Sequence, residues 1–93
     1  MVVGILELEL RLFSSHSLKD KRNIIKSLIS SIRNSFNVSV SEVGCQDLWQ
    51  RAIIGIAFIT IEKSFAQNVL LKIIKFVEKK RDISLIDSKI EIL

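Results

Sequence analysis

The chain has 93 residues, 48% of them hydrophobic, and its 14 Lys and Arg against 10 Asp and Glu leave a formal net charge of +4. This composition excludes intrinsic disorder and allows one domain, over residues 1–93, with its own hydrophobic core. No run reaches the roughly 20 apolar residues that a membrane helix needs, and a lone Cys45 excludes an intramolecular disulfide, so we expect a cytoplasmic protein with a mild attraction for polyanions.

The first two predicted elements are a strand and a helix. Apolar and charged residues alternate from Met1 to Phe13, which predicts a strand with one buried face. Ser17 is a good helix N-cap, and Asp20 three residues later completes a variant of the capping box. The helix that follows ends within 34–37, and its apolar stripe consists of Leu18, Ile25, Leu28, Ile29, Ile32 and Phe36.

Two strands are predicted next. The alternation of the second strand shifts near Glu42, which indicates a β-bulge, and its apolar residues are Val38, Val40, Val43 and Cys45. A polar connection over 44–51 leads to the third strand. Residues 52–61 are almost wholly apolar and β-branched, which is typical of a central strand buried on both faces.

A second helix and a fourth strand complete the chain. Ser64 and Gln67 form a capping box that predicts a helix through about Lys80, and residues 83–93 alternate again as a strand does. The order of elements predicts an α+β, ferredoxin-like βαββαβ sandwich. In this fold, two helices cover one face of a four-stranded antiparallel sheet whose central strands are the first and the third.

One side of the first helix is basic. At about 100° per residue, Lys19, Arg22, Lys26 and Arg33 fall within roughly 60° of arc, and we call these four residues the basic stripe. Most charged helix faces are simply solvated. However, no acidic residue follows Asp20 in this helix, whereas a helix stabilised by its own ion pairs would place Glu four residues before Lys or Arg. The stripe therefore favours contact with nucleic-acid phosphates.

The sheet face away from the helices has a different character. Glu7 and Glu9 stand in the first strand where RNA-recognition motifs carry stacking aromatics, which argues against RNA binding across the sheet. The third strand is apolar on both sides, and the helices can cover only one of them. Because an uncovered apolar row usually marks an interface, we expect a homodimer through this face, with simple burial as the alternative.

The sequence contains no assembled catalytic site. His16 is the only histidine and Cys45 the only cysteine, and no third group can be assigned to orient such a pair. The three glycines form no phosphate-binding loop, and no metal-ligand spacing is present. We therefore expect no enzymatic activity, cofactor, metal or small-molecule substrate. His16 is expected to order the loop before the helix.

Trp49 is the only tryptophan, and it lies with Arg51 in or beside the polar connection. It either anchors the hairpin by packing over a sheet edge or forms an exposed binding hot spot. Trp49 and Arg51 are the second candidate interaction site.

Several blocks of the chain carry a family pattern: HSLKDKR at 16–22, NVSVSEV at 37–43 and DLWQRA at 47–52, with Gly55 and both chain ends. In these blocks the whole chain resembles the YlxP-like family of small bacterial proteins. The resemblance implies a ferredoxin-like fold without established enzymatic activity. The genes of that family commonly lie beside those for translation initiation factor two and ribosome-binding factor A, which implies a role in ribosome maturation, translation or RNA handling. Cys45 departs from the pattern, where a small polar or acidic residue is expected.

Together these features predict a non-enzymatic protein that binds ribosomal RNA or the ribosome through the basic stripe. The alternative is a homodimeric module that docks a translation-related protein.

Overall fold

The computed structural model describes all 93 residues and has the predicted order of elements. These are β1 (Val2–Leu12), α1 (Leu18–Ser35), β2 (Ser39–Gly44), β3 (Arg51–Thr60), α2 (Lys63–Glu78) and β4 (Ile83–Ile92). The sheet order is β2-β3-β1-β4, and every neighbouring pair is antiparallel. The α+β, ferredoxin-like fold predicted from the sequence is confirmed.

The core lies between one face of the sheet and the two helices. β1 is central and alternates strictly, so its inward residues are fully buried, and their partners on β3 lie in register. Each helix contributes one apolar stripe from above. The core cluster consists of Leu6, Leu8, Leu10 and Leu12 from β1, Val40 from β2, Ala52, Ile54 and Ile56 from β3, Ile83 from β4, Ile25, Leu28 and Ile32 from α1, and Leu70, Ile73 and Val77 from α2.

The two helices begin in different ways. The predicted cap of α1 is confirmed, because the Ser17 hydroxyl accepts a hydrogen bond from the backbone N–H of Asp20 at 3.0 Å. The capping box predicted at Ser64 is wrong: the N-cap of α2 is Glu62, and its side chain caps nothing. The first turn is closed by the Ala66 N–H, which donates to the Glu62 carbonyl at 3.1 Å. Only two residues, Ile61 and Glu62, separate the end of β3 from the start of this helix.

Bulges shape both edge strands. The predicted bulge in β2 is confirmed between Glu42 and Gly44, and it leaves Val43 against Gly55 on the face away from the helices. A second bulge, which the sequence pattern did not indicate, makes Ile86 an extra residue of β4. Leu85 therefore packs on the core, and Ile86 is 44% exposed.

The open face of the sheet, away from the helices, corrects one expectation. β3 is not buried on both faces, because both helices lie on the other side of the sheet. Its outward residues Ile53 and Ala57 are half-buried, and Ile59 is 66% exposed. The open face thus remains uncovered within one chain.

Candidate nucleic-acid interface

All four residues of the basic stripe are exposed on α1. The helix turns them outward because its inward positions are filled by the core stripe, and because the Ser17 cap fixes where the helix begins. The structure has two ion pairs, and neither includes a member of the stripe. The positive charges of Lys19, Arg22 and Lys26 are consequently free of carboxylate partners.

Three of the four stripe residues come together in one groove between α1 and the edge strand β2. Arg22, Lys26 and Arg33 line the helix side of this groove, which has a volume of about 650 Å³. Lys19 lies one turn before it, in the first turn of α1. The neutral polar residues that share the groove are Ser30, Asn34, Ser41 and Gln46. We call this space the stripe groove.

Arg33 has a fixed position in the stripe groove. Its guanidinium Nη2 donates to the backbone carbonyl oxygen of Val40 on β2 at 3.3 Å. An arginine side chain has five N–H donors, so this contact leaves most of them available. A planar cation held at the edge of the sheet is well suited to a phosphate.

Beneath the stripe, a buried ion pair joins α1 to β2. Lys21 is only 2% exposed, and its Nζ lies 2.9 Å from Glu42 Oε2, within ion-pair distance but outside hydrogen-bond geometry. The same Nζ donates a hydrogen bond to the backbone carbonyl of Cys45. Glu42 is the one acidic residue that lines the stripe groove, and Lys21 neutralises it. The groove therefore keeps the positive character of the stripe.

The loop over residues 45–50, which we call the Trp49 loop, is attached to the rest of the protein on two sides. Lys21 holds its first carbonyl from α1. At its other end, the Gln50 side chain donates to the carbonyl of Ser15 at 3.1 Å, and the Gln50 carbonyl accepts from the N–H of Leu12 at 2.9 Å. These contacts place the loop beside the N-terminal end of α1.

Trp49 and Arg51 line a second groove, at the far end of the open sheet face. Trp49 is 53% exposed and Leu48 is 50% exposed, so about half of the surface of the only tryptophan is open to solvent. The Arg51 Nη1 lies 2.9 Å from Glu9 Oε2. The remaining residues of this groove are Arg11, Asp47, Leu48 and Gln50.

Basic residues also lie on the other side of α1. A depression of about 340 Å³ separates α1 from the end of α2, and it is lined by Lys80 and Arg81 together with Asp82. The Lys80 ammonium sits 4.6 Å from the centre of the Phe76 ring. The polar residues of its α1 wall are small, namely Asn23, Ser27 and Ser31, and Ile24 and Leu28 complete that wall. The exposed side of α1 is thus polar, with positive charge along both borders.

The remaining candidates from the sequence have local roles. The backbone N–H of His16 donates to the Asp20 carboxylate at 3.1 Å, while its side chain is exposed. Cys45 is half-buried but follows β2 instead of belonging to it, and its backbone is left-handed with φ of 57°. No group of three or more His, Cys, Asp or Glu side chains could hold a metal ion, and no helix is both long and apolar enough to cross a membrane.

Sequence reasoning missed Lys21, although a pattern could have revealed it. The buried residues of α1 are Lys21, Ile25, Leu28 and Ile32, a regular series of three- and four-residue steps. Lys21 therefore occupies an inward position of the apolar stripe. Glu42 likewise shares the inward face of β2 with Val40, since the two residues are two positions apart. Opposite charges at two inward positions indicate a buried pair.

Comparison with known proteins places the chain in a family. The model of the family described as "Protein of unknown function (DUF503)" matches residues 3–90. The chain is similar to the "Uncharacterized protein YlxP" of Bacillus subtilis (strain 168), with 35% identity over 77 residues, which cover 83% of this chain and 84% of that protein. The resemblance found in the sequence blocks is confirmed, and the chain belongs to the DUF503, YlxP-like family.

Proposed function

We propose that this protein is a non-enzymatic, cytoplasmic RNA-binding protein that contacts phosphates through the basic stripe of α1. The main support for this proposal is that Arg22, Lys26 and Arg33 all line the stripe groove and that none of them is paired with a carboxylate. Phosphate contacts by Arg and Lys provide most of the affinity of proteins for nucleic acids. Neutral donors such as Ser30 and Asn34 add hydrogen bonds to phosphate and sugar oxygens.

The burial of Lys21 supports this function because of what it does to Glu42. An exposed, unpaired carboxylate in the stripe groove would repel phosphate. With Lys21 Nζ at 2.9 Å, the Glu42 charge is balanced from below, and no stripe cation is needed to balance it. The stripe therefore keeps its charge for an external anion.

Ribosomal RNA is the partner that we favour. The family resemblance associates such proteins with genes for translation initiation and ribosome maturation, in which structured RNA is the common ligand. The elongated shape, with extents of 42 × 21 × 20 Å, allows α1 to lie along a nucleic-acid backbone. Its 18 residues span about 27 Å at 1.5 Å per residue.

The test is a gel-shift titration of ribosomal RNA fragments at several salt concentrations. We expect the quadruple variant Lys19→Gln, Arg22→Gln, Lys26→Gln and Arg33→Gln to lose most of the affinity. The slope of log affinity against log salt should also decrease by roughly 0.7 to 0.9 for each phosphate that the variant no longer neutralises.

A matched control separates the stripe from net charge. Four exposed lysines, three in α2 and one at its C-cap, are changed to Gln in a second variant: Lys63, Lys72, Lys75 and Lys79. This variant loses the same total charge and should bind RNA nearly as well as the unaltered protein. Equal losses in the two variants, or no binding by the unaltered protein, would contradict the proposal.

A second candidate function rests on the open face of the sheet. Val3, Ile5 and Ala57 are only half-buried there and Ile59 is exposed, so a second copy of the chain could cover them. In this alternative the protein is a homodimeric module that docks a translation-related protein. The two functions are compatible, because the apolar part of the face and the stripe lie on different sides of the sheet.

A further inference from the structure

The groove of the Trp49 loop has a composition that the basic stripe lacks. Two arginines, Arg11 and Arg51, line it together with Trp49, a residue that is 53% exposed. We propose that this groove binds an unpaired nucleotide of single-stranded RNA, with the base stacked on Trp49 and its phosphate held by Arg11 and Arg51. The inference rests on the proposed function and defines the class of RNA that the protein recognises.

The positions of the two arginines do not favour the stability of the sheet. Arg11 and Arg51 are direct partners in the β1–β3 register, and like charges directly opposite each other destabilise a sheet. Glu9 pairs with Arg51, whereas Arg11 has no carboxylate partner. The Arg11 guanidinium is therefore not paired at this end of the open face, where a phosphate would relieve the repulsion.

Two exposed aromatic residues neighbour Arg11. Trp49 is 53% exposed and Phe13 is 54% exposed, and the Arg11 guanidinium carbon sits 5.1 Å from the centre of the Phe13 ring. Single-stranded RNA is recognised by bases that stack on aromatic side chains and on arginine planes. Asp47 also lines the groove. Its carboxylate repels phosphate but can accept a hydrogen bond from the amino group of a base.

The Trp49 loop connects this groove with the stripe groove. Gln46, near its start, lines the stripe groove together with Arg22, and Trp49, near its end, lines the second groove together with Arg51. The loop is six residues long and is tied to α1 and to Ser15. One RNA strand can therefore place consecutive phosphates on the stripe and an extruded base on Trp49. A duplex can do only the first, because its bases remain stacked inside the helix.

The absence of other tryptophans and of tyrosines makes Trp49 a direct probe of its own groove. We would titrate the full-length protein with a 12-nucleotide single-stranded RNA, a duplex RNA of equal length, and polyphosphate, which has no bases. The single strand should quench the tryptophan emission to saturation. Polyphosphate should compete for the stripe without quenching.

Variants then test the stacking itself. Trp49→Leu should weaken single-strand binding about tenfold, because stacking on one aromatic contributes that order of affinity, and should leave duplex binding unchanged. Trp49→Phe should restore most of the loss, whereas a purely structural role would not distinguish the two RNAs. Circular dichroism confirms that each variant is folded.

Three outcomes would refute this inference, and they differ in what they leave of the proposed function. If Trp49→Leu binds single strands as tightly as the unaltered protein while the stripe variant fails, the stacking site is refuted and the RNA-binding function stands. If no RNA binds to the unaltered protein, both are refuted. If Trp49→Leu loses only a protein that co-purifies after nuclease treatment, the groove docks a protein and the inference is wrong.

Discussion

Lys21 and Glu42 show how much depends on single residues in this domain. A buried lysine is costly unless its charge is paired, and here it has both a carboxylate at 2.9 Å and the Cys45 carbonyl. The sequence places both residues at inward positions, but composition rules assign charged residues to the surface. Sequence reasoning therefore found the exposed stripe and missed the ion pair below it.

Removing one partner of this pair should lower the stability of the protein far more than removing both. We expect Lys21→Met to reduce the free energy of unfolding by about 3 kcal/mol, because Glu42 is then left without its counter-ion. The double variant Lys21→Met with Glu42→Met should recover a large part of this loss. Urea denaturation followed by far-ultraviolet circular dichroism measures both values.

The coupling free energy between the Lys21 and Glu42 substitutions tests whether the two side chains act as a pair. Exposed Lys19→Met serves as the control for loss of a positive charge from the same helix turn, and it should change stability by less than about 0.5 kcal/mol. Additive effects of the Lys21 and Glu42 substitutions would show that the pair does not act as a unit.

At the scale of the element, α1 combines a strong start with an unusual exposed side. Ser17 caps the first turn, and the Asp20 carboxylate reaches back to the N–H of His16 at 3.1 Å. Along its exposed side, Ser and Asn replace the Glu–Lys pairs that normally stabilise surface helices. The helix thus relies on its cap and its core stripe for stability.

The cap can be tested by a pair of identical substitutions. Ser17→Ala should cost about 1 kcal/mol, because the N–H of Asp20 loses its acceptor. Ser27→Ala, on the exposed side of the same helix, should be neutral or stabilise by up to about 0.5 kcal/mol, since Ala has the higher helix propensity. Thermal unfolding of both variants measures the difference, and equal effects would show that the cap contributes nothing.

The helices and strands could be predicted from the sequence wherever neighbouring residues determine them. The alternation of β1 and the Ser17 cap are local, and both are confirmed. The start of α2 and the bulge at Ile86 depend on how β3 ends and on how β4 pairs with β1, so local patterns could not supply them. The groove around Trp49 is likewise tertiary, because Arg11 and Arg51 meet only through the sheet register.

At the scale of the whole molecule, the open sheet face is divided along its strands. Its apolar end holds the cross-strand pair Val3 and Ile59, and its charged end holds the pair Arg11 and Arg51. Eight residue steps separate the two pairs, a distance of about 26 Å at 3.3 Å per residue. Self-association at one end would therefore leave the other end accessible.

This division leads to a prediction about the oligomeric state. We expect the unaltered protein to be a dimer at micromolar concentration and Ile59→Lys to be a monomer, as measured by sedimentation velocity. The substitution places one lysine charge from each copy of the chain in the apolar interface. Ile59 is 66% exposed, so the fold should tolerate the change. RNA binding should be unaffected.

The control for this prediction lies on α2, on the opposite side of the sheet. Leu71 is 43% exposed there, and Leu71→Lys should leave the dimer intact. A monomeric unaltered protein at micromolar concentration would contradict self-association through the open face.

The ammonium of Lys21 contacts two segments at once, since it balances Glu42 of β2 and binds the carbonyl that opens the Trp49 loop. If the loop shifted, this ammonium, which is only 2% exposed, would lose one of its two partners. These two contacts tie the helix, the edge strand and the loop together. A ligand that touches the helix and the loop finds its binding groups preorganised, and the entropy of aligning them has already been lost during folding.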